Sequence, residues 1–569
     1  MVASIDMDSL RRLIRKHALT NAVKFNGKAN PGAVISKIIG EMPDLKSDMK
    51  LVSKEVSEAL KIINSQSVDI STEELKKEFP EMLEKKEKEE RNIFEFLGVK
   101  NGEKIITAFP PGPEKYPHIG HAKACLLNYL LAEKYGGQFV LRFEDTNPNL
   151  VQAVFYDVLV DNLSWLGVKW SELMYASDNM ELFYEYAKKC IENNLAYMCF
   201  CNDEAIKKSR ADGTECAHRS QSVEKNLEYW KGFPSYEEGK AILRLKIDLQ
   251  HQNTTMRDPT IFRTITTAHA RHGTKYTIWP NYDFQNSIMD GYYGITHRLR
   301  SKEFEMRNEL QRYIQRILGL KQTNIYEFAR FELEGVDTSG RVIREKINSG
   351  EYVGWDDPRL ATLVALRRRG FQPEAIKNFV VNTGITKSES TLTWDDLIVQ
   401  NKKVVDKTSK RFFMMHDYDK ITIEGAPHQI LKLRYHPEID ELGHREMEAE
   451  QEFLIQKSDL KELKDGEVYR FMDCMNFRKN GRVYNFESKE YENFKSHGSK
   501  IMHYLPAYGN LDVEIMMNDS TVISGVAEHN IKIIKIGEVI QFERFGFCRL
   551  DEIEKKHDKT IYKFWFTHK

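Results

Sequence analysis

The chain has 569 residues, enough for about three or four domains of ordinary size. Its 84 basic and 85 acidic residues leave a net charge of −1, which excludes a globally basic nucleic-acid coat but not a local basic groove. No apolar run reaches membrane-spanning length, Met1 to Leu19 has no apolar central block, and the seven cysteines are odd in number and unevenly spaced. A cytoplasmic protein with no membrane partner and no disulfide framework is therefore expected.

Residues 1–95 read as a helical appendage without catalytic signal. Leu10, Ile14, Ala18 and Ala22 follow a helical period. Gly27, Asn30, Pro31 and Gly32 predict a turn between two short helices. Ser71-Thr72-Glu73-Glu74 is a candidate cap for a helix ending at Phe79 before Pro80. Glu84 to Arg91 is a charged run, read as a solvated face or linker. A protein or RNA partner for this region is an open expectation.

Strand-like Lys104–Phe109 and Gln138–Phe143 flank a helix predicted over Ala122–Tyr135, with Leu126, Leu127, Leu130 and Leu131 on its apolar face. Pro117-His118-Ile119-Gly120-His121 stands at the start of that helix, completing a β-α-β unit. Such units bind nucleotides where the helix begins, because free N–H groups and the helix dipole meet phosphate there. Gly120 allows close approach to the backbone, and His118 and His121 are candidate donors to phosphate oxygens as charge builds up. The alternative is two surface histidines at a helix start. Arg142-Phe143-Glu144-Asp145-Thr146 ends the second strand at the ligand-binding sheet edge, where Glu144 could hold an amino group or cap a helix. A helix follows over Val151–Leu166.

Residues 199–275 break this alternation and read as an insertion. Cys199-x-Cys201 and Cys216-x-His218 within it offer four ligands to a structural, tetrahedral Zn²⁺; the alternative is a chance cluster of buried thiols. The core resumes over 276–319. Residues 320–382 read as helical, with a basic cluster at Arg367-Arg368-Arg369. Beyond Lys407 short strands such as Lys420–Ile423, Val468–Phe471 and Thr560–Trp565 predict a β-barrel region.

Phe109-Pro110-Pro111-Gly112-Pro113 leading into His118-Ile119-Gly120-His121-Ala122-Lys123 resembles the first signature of class I aminoacyl-tRNA synthetases, in the glutamyl/glutaminyl branch. So do Arg142–Pro148, Tyr282-Asp283-Phe284, Gly294-Ile295-Thr296-His297 and Gly354-Trp355-Asp356-Asp357-Pro358-Arg359. Asn21–Lys24 and Gly27–Asn30 resemble the appendage of archaeal glutamyl enzymes. The resemblance covers nearly the whole chain in order.

It implies an α/β multidomain fold. A Rossmann-type catalytic core (101–198 and 276–319) carries an acceptor-stem insertion (199–275). A helical connector with the second signature loop (320–400) and a C-terminal β-barrel anticodon-binding region (401–569) complete it. The implied activity is ATP-dependent attachment of L-glutamate to tRNA(Glu), with Mg²⁺ on the ATP; whether tRNA(Gln) is also charged stays open. The resemblance implies ATP contacts from His118, Gly120 and His121, an α-amino contact from Glu144, and an amino-acid pocket lined by Tyr282. Arg300 follows Gly294–Leu299 at the position where glutamyl enzymes have arginine and glutaminyl enzymes a small neutral residue. A guanidinium pairs with a γ-carboxylate through two parallel hydrogen bonds.

Two departures stand out. Ala108 replaces the family's substrate-binding arginine, and Lys115 replaces a glycine. The second signature is degenerate: Asp337-Thr338-Ser339-Gly340-Arg341 keeps Ser339 and a cation at Arg341, but neither lysine. Alternative readings are a glutamine–tRNA ligase, opposed by Arg300, and a tRNA-binding paralogue that does not charge, motivated by Ala108 and Gly340.

Overall fold

The computed structural model describes residues 6–25, 27–42, 45, 48–82, 92–100, 102–389, 391–557 and 559–569. It divides into two compact units, 1–92 and 93–569.

The first unit contains α1 (Met7–Lys24), α2 (Pro31–Glu41), α3 (Met49–Ile63) and α4 (Val68–Glu78). Leu10, Ile14, Ala18 and Ala22 form the buried stripe of α1, packed with Val52, Val56 and Leu60 of α3. The expected turn stands between α1 and α2, where the Asn30 side chain accepts from Ala33 N and Pro31 takes the first helical position. Helix α4 starts earlier than the sequence predicts. Ser67, not Ser71, caps it by accepting from Ile70 N, and the Thr72 hydroxyl bonds back to Val68 O at 2.7 Å. Its end at Phe79, before Pro80, is as expected. The charged run Glu84–Arg91 lies outside the described residues.

In the second unit the chain runs β1 (Ile106–Phe109), α5 (Ile119–Lys134), β2 (Gln138–Phe143), α6 (Val154–Trp165), β3 (Glu172–Tyr175), α7 (Met180–Glu192), β4 (Ala196–Cys199), α8 (Asp203–Asp212) and α9 (Val223–Gly232). It continues through β5 (Ile242–Leu245), β6 (Thr260–Thr264), β7 (Ile278–Pro280), α10 (Tyr282–Tyr292), β8 (His297–Ser301), α11 (Glu305–Ile317) and β9 (Asn324–Phe328). Strands β3-β2-β1-β8-β9 make a parallel sheet in that order. This is the doubly wound pattern that places ligands at the carboxyl ends of the strands. The insertion is an antiparallel sheet β4-β5-β6-β7, so its strands begin at Ala196 and close at Pro280.

The reading of 320–382 as wholly helical is corrected by β9. Asn324–Phe328 pairs along all of β8, because the open edge of β8 needs a partner for its N–H and C=O groups. The same stretch carries β10 (Glu332–Leu333), then α12 (Gly340–Asn348), α13 (Leu363–Arg369) and α14 (Pro373–Thr383).

The Arg367–Arg369 cluster is a weld rather than a basic face. Arg368 pairs with Asp356 at 2.6 Å and Asp551 at 2.7 Å, and Arg369 donates to Pro358 O and Thr567 O, each at 3.0 Å. Gly370 follows at φ +93°, where a Cβ would stand 2.8 Å from Thr567 Oγ1; only glycine lets the two segments approach so closely. Beyond it, residues 411–568 are dominated by two seven-stranded mixed sheets, each over its own apolar core. Lys420–Ile423, Val468–Phe471 and Thr560–Trp565 all fall in their strands. Among the described residues no helix is long and apolar enough to cross a membrane, and all seven cysteines are free.

Candidate active site

A cavity of about 920 Å³ opens at the carboxyl edge of the parallel sheet. It gathers His118, Gly120, His121, Glu144, Tyr282 and Arg300, six of the expected site residues, from β1–α5, β2, α10 and β8.

His118 is the N-cap of α5. Its Nδ1 accepts from Gly120 N at 3.0 Å, and His121 Nδ1 accepts from His118 N at 3.2 Å, a reciprocal cap. With Nδ1 used as acceptor, each neutral ring keeps Nε2–H as its donor. Gly120 has a local reason to be glycine: a Cβ there would sit 2.8 Å from the His118 ring. Burial, then the nearby His121, Lys115 and Arg330, holds His118 well below the usual histidine range. Burial, then Lys115 and Arg330, lowers His121 to about 3. Both are neutral donors at physiological pH, at the positive end of a helix dipole.

Facing them lies a buried charge network. Arg142 donates to Glu144 Oε1 at 3.0 Å, Asp290 Oδ1 at 2.8 Å and Asn286 Oδ1 at 2.7 Å. Arg298 donates to both oxygens of Asp290, at 2.7 and 2.9 Å. Burial pushes Asp290 up, but the two guanidiniums outweigh it and hold the carboxyl below its usual value. Burial pushes Glu144 up to about 7 against the pull of Arg142 and Arg298, and its Oε2 is buried without a hydrogen-bond partner. That orphaned oxygen is an acceptor waiting for a cation. Arg300 donates to Asn308 and lies over the Phe304 ring, yet its Nε is buried and unpartnered. Among the described residues no carboxylate pairs with it. A buried guanidinium with no countercharge is costly, which makes it a seat for an anion.

Ser339 and Arg341 are not brought to this cavity. Both are exposed at the start of α12, Ser339 as its N-cap and Arg341 in its first turn, where Arg341 stands 4.0 Å from Glu345. Lys115 and Arg330 line the cavity instead. A Cβ on Gly340 would come within 2.9 Å of Lys115 Cδ, so the substituted first signature packs directly on the degenerate second one. The sequence reading passed over Arg298, Asp290 and Asn286. The signal was there: Arg298 and Arg300 share a strand face at period two, and Asp290 interrupts the apolar run Ile288-Met289.

The four expected metal ligands converge. Cys199 Sγ lies 3.9 Å from Cys216 Sγ and 4.0 Å from His218 Nδ1, and Cys201 Sγ lies 3.4 Å from His218 Nδ1. All four ligand atoms fall within 4.8 Å of one another. Tetrahedral Zn²⁺ with bonds of about 2.3 Å to sulfur sets sulfur atoms roughly 3.8 Å apart, so the donor set fits that ion. A hydrogen bond from the Cys199 thiol, the largest influence, draws the Cys216 thiol down toward thiolate.

Comparison with known proteins agrees with this geometry. Residues 104–407 match the family model of the class I (E and Q) tRNA synthetase catalytic domain, and 409–495 and 482–551 match its two anticodon-binding domain models. The glutamate–tRNA ligase of Pyrococcus abyssi is 38% identical over 567 residues, covering 97% of this chain and 99% of the relative. Those of Methanocaldococcus jannaschii (37% identical, 94% of this chain and 96% of the relative) and Methanothermobacter thermautotrophicus (36%, 95% and 97%) are comparably similar. The chain belongs to the glutamyl/glutaminyl family of class I tRNA synthetases.

Proposed function

We propose that this chain is a glutamate–tRNA ligase. The observation that carries the reading is Arg300: a buried guanidinium in the amino-acid pocket with an unpartnered Nε and no carboxylate of its own among the described residues. The γ-carboxylate of glutamate supplies that countercharge, and the neutral amide of glutamine does not. Glu144 Oε2 receives the substrate ammonium, and Tyr282 lines the pocket. His118 and His121 donate from Nε2 to the phosphates of ATP, whose α-phosphate sits over Gly120 at the N-terminus of α5. Lys115 and Arg330 add positive charge beside them, while Ser339 and Arg341 stand outside the cavity on the segment whose Gly340 packs on Lys115. Mg²⁺ enters with the ATP.

The glutamate α-carboxylate attacks the α-phosphate, pyrophosphate leaves, and glutamyl-adenylate forms. A ribose hydroxyl of the tRNA 3′-terminal adenosine then attacks the acyl carbon and AMP leaves. The protein contributes alignment and charge stabilisation rather than a covalent intermediate. The strand-rich region beyond residue 409 binds the anticodon of the tRNA. The seven free cysteines support a cytoplasmic location.

The test is charging of purified tRNA(Glu) and tRNA(Gln) with labelled glutamate and with labelled glutamine. Glutamate on either tRNA supports the reading; glutamine alone makes the chain a glutamine–tRNA ligase. No charging favours the non-charging paralogue that Ala108 motivates. In the same assay KM for glutamate should rise as pH falls through about 7, because Glu144 must be ionised to hold an ammonium and is protonated below that value. A KM independent of pH between 6 and 8 removes Glu144 from that role.

Cys199, Cys201, Cys216 and His218 hold a structural Zn²⁺ that fixes the loop between β4 and α9. Metal analysis should find one zinc per chain. Cys216→Ser should lose the zinc and lower Tm, the loss appearing in the insertion before the parallel sheet. Metal-free protein with unchanged Tm overturns the assignment.

A further inference from the structure

We propose that Arg298 is a second substrate-binding guanidinium of the amino-acid pocket, supplied from β8 where Ala108 of the adjacent β1 supplies none. The inference rests on the ligase reading and deepens it.

Strands β1 and β8 are parallel neighbours with Thr107 paired to His297. The next residues along, Ala108 and Arg298, therefore stand side by side on one face of the sheet. Ala108 is fully buried and has no polar atom on its side chain, while Arg298 is 2% exposed and lines the cavity with Glu144, Tyr282 and Arg300. Asp290 and Asn286 of α10 fix one end of the Arg298 guanidinium through Nη1. Its Nε is buried with no hydrogen-bond partner. The group is oriented by protein contacts and left unsatisfied on one side, the arrangement of a built ligand seat.

Charge points the same way. Set apart from the Arg307–Asp283 pair, which is neutral in itself, the buried groups around Glu144 comprise three guanidiniums, Arg142, Arg298 and Arg300, against two carboxylates, Asp290 and Glu144. With Glu144 ionised the surplus is one positive charge. Glutamate, with two carboxylates and one ammonium, carries one negative charge and closes the balance; glutamine carries none. Without Arg298 the remaining guanidiniums and the two carboxylates would already be neutral before the substrate binds. Arg142 cannot fill this role, because it lies behind the cavity lining with each of its three nitrogens bonded to Glu144, Asp290 or Asn286.

The experiment compares wild type, Arg298→Val, and the exchange Ala108→Arg with Arg298→Val. KM for glutamate, KM for ATP and kcat are read by ATP–pyrophosphate exchange in the presence of tRNA(Glu), with Tm of each protein. Wild-type exchange dependent on glutamate is the control for the ligase reading; its absence overturns that reading, not this one alone. Arg298→Val is expected to raise KM for glutamate about 100-fold while KM for ATP stays within threefold. The exchange variant, carrying its guanidinium on the neighbouring strand, should recover at least tenfold of that loss. If Arg298→Val leaves KM for glutamate within threefold, the proposal fails. It fails equally if both KM values rise together and the exchange variant restores nothing, because Arg298 would then serve only to hold Asp290. Should Arg298→Val not fold, the exchange variant decides alone: a KM for glutamate within tenfold of wild type supports the proposal, and a larger rise overturns it.

Discussion

Replacing Arg300 by alanine is expected to lower kcat/KM for glutamate by about 10²- to 10⁴-fold, with KM for ATP nearly unchanged. Removing one partner of a buried, hydrogen-bonded charge pair costs ~3–5 kcal/mol, and each 1.4 kcal/mol is about a factor of ten. The effect falls on the substrate rather than the fold because Arg300 leaves no hydrogen-bonded protein carboxylate stranded when it goes: its side-chain contacts are Asn308, Tyr282 and the Phe304 ring. Stability should change little, because no protein charge loses its partner. Discrimination against glutamine should collapse at the same time, because the wild-type arginine rejects an amide it cannot pair with. ATP–pyrophosphate exchange with each amino acid, in the presence of tRNA(Glu), measures both. An Arg300→Ala protein that still prefers glutamate by its wild-type factor would move the γ-carboxylate seat elsewhere in the cavity.

His121→Ala is expected to reduce kcat for adenylate formation by about 10²- to 10³-fold, the usual loss for one donor to developing charge. Part of any Tm change belongs to the cap, since His121 Nδ1 accepts from His118 N; a lost cap costs about 1 kcal/mol and slows nothing. His121→Asn, which keeps a neutral donor, should recover part of kcat and separate the two effects. The pH profile gives an independent check. With both imidazoles held far below their ordinary range, neither titrates between pH 6 and 8, so kcat at saturating glutamate should be flat there. A kcat profile falling with an ionisation near 6.5 that disappears in His121→Ala would mean that a charged imidazole, not a neutral one, meets the phosphate.

Much of the site was legible because it is local. His118, Gly120 and His121 sit within four residues, and a helix start dictates what their N–H groups and rings do. Even there the structure sharpened the reason: Gly120 is glycine because the His118 ring folds back over it. The cysteine pairs were legible for the same reason, each spanning only three residues. Ser71 as a cap was misplaced by four residues because Ser65, Ser67, Ser71 and Thr72 cluster about the start of α4, and only the bond from Ile70 N to the Ser67 hydroxyl selects Ser67. β9 was missed because its five residues carry no period of their own and become a strand only against the open edge of β8.

The sequence by itself determined the family and the β-α-β unit, and it singled out Arg300 for the site, all carried by short motifs and their order. Tertiary structure alone decided that Arg298 stands beside Ala108, that Lys115 packs on Gly340, and that Lys115 and Arg330 rather than Ser339 and Arg341 line the cavity. The reason is physical. Helix starts and strand alternation are set by neighbours a few residues away, whereas strand register and loop packing join residues about 200 apart, and only the closed sheet and core fix which of them meet.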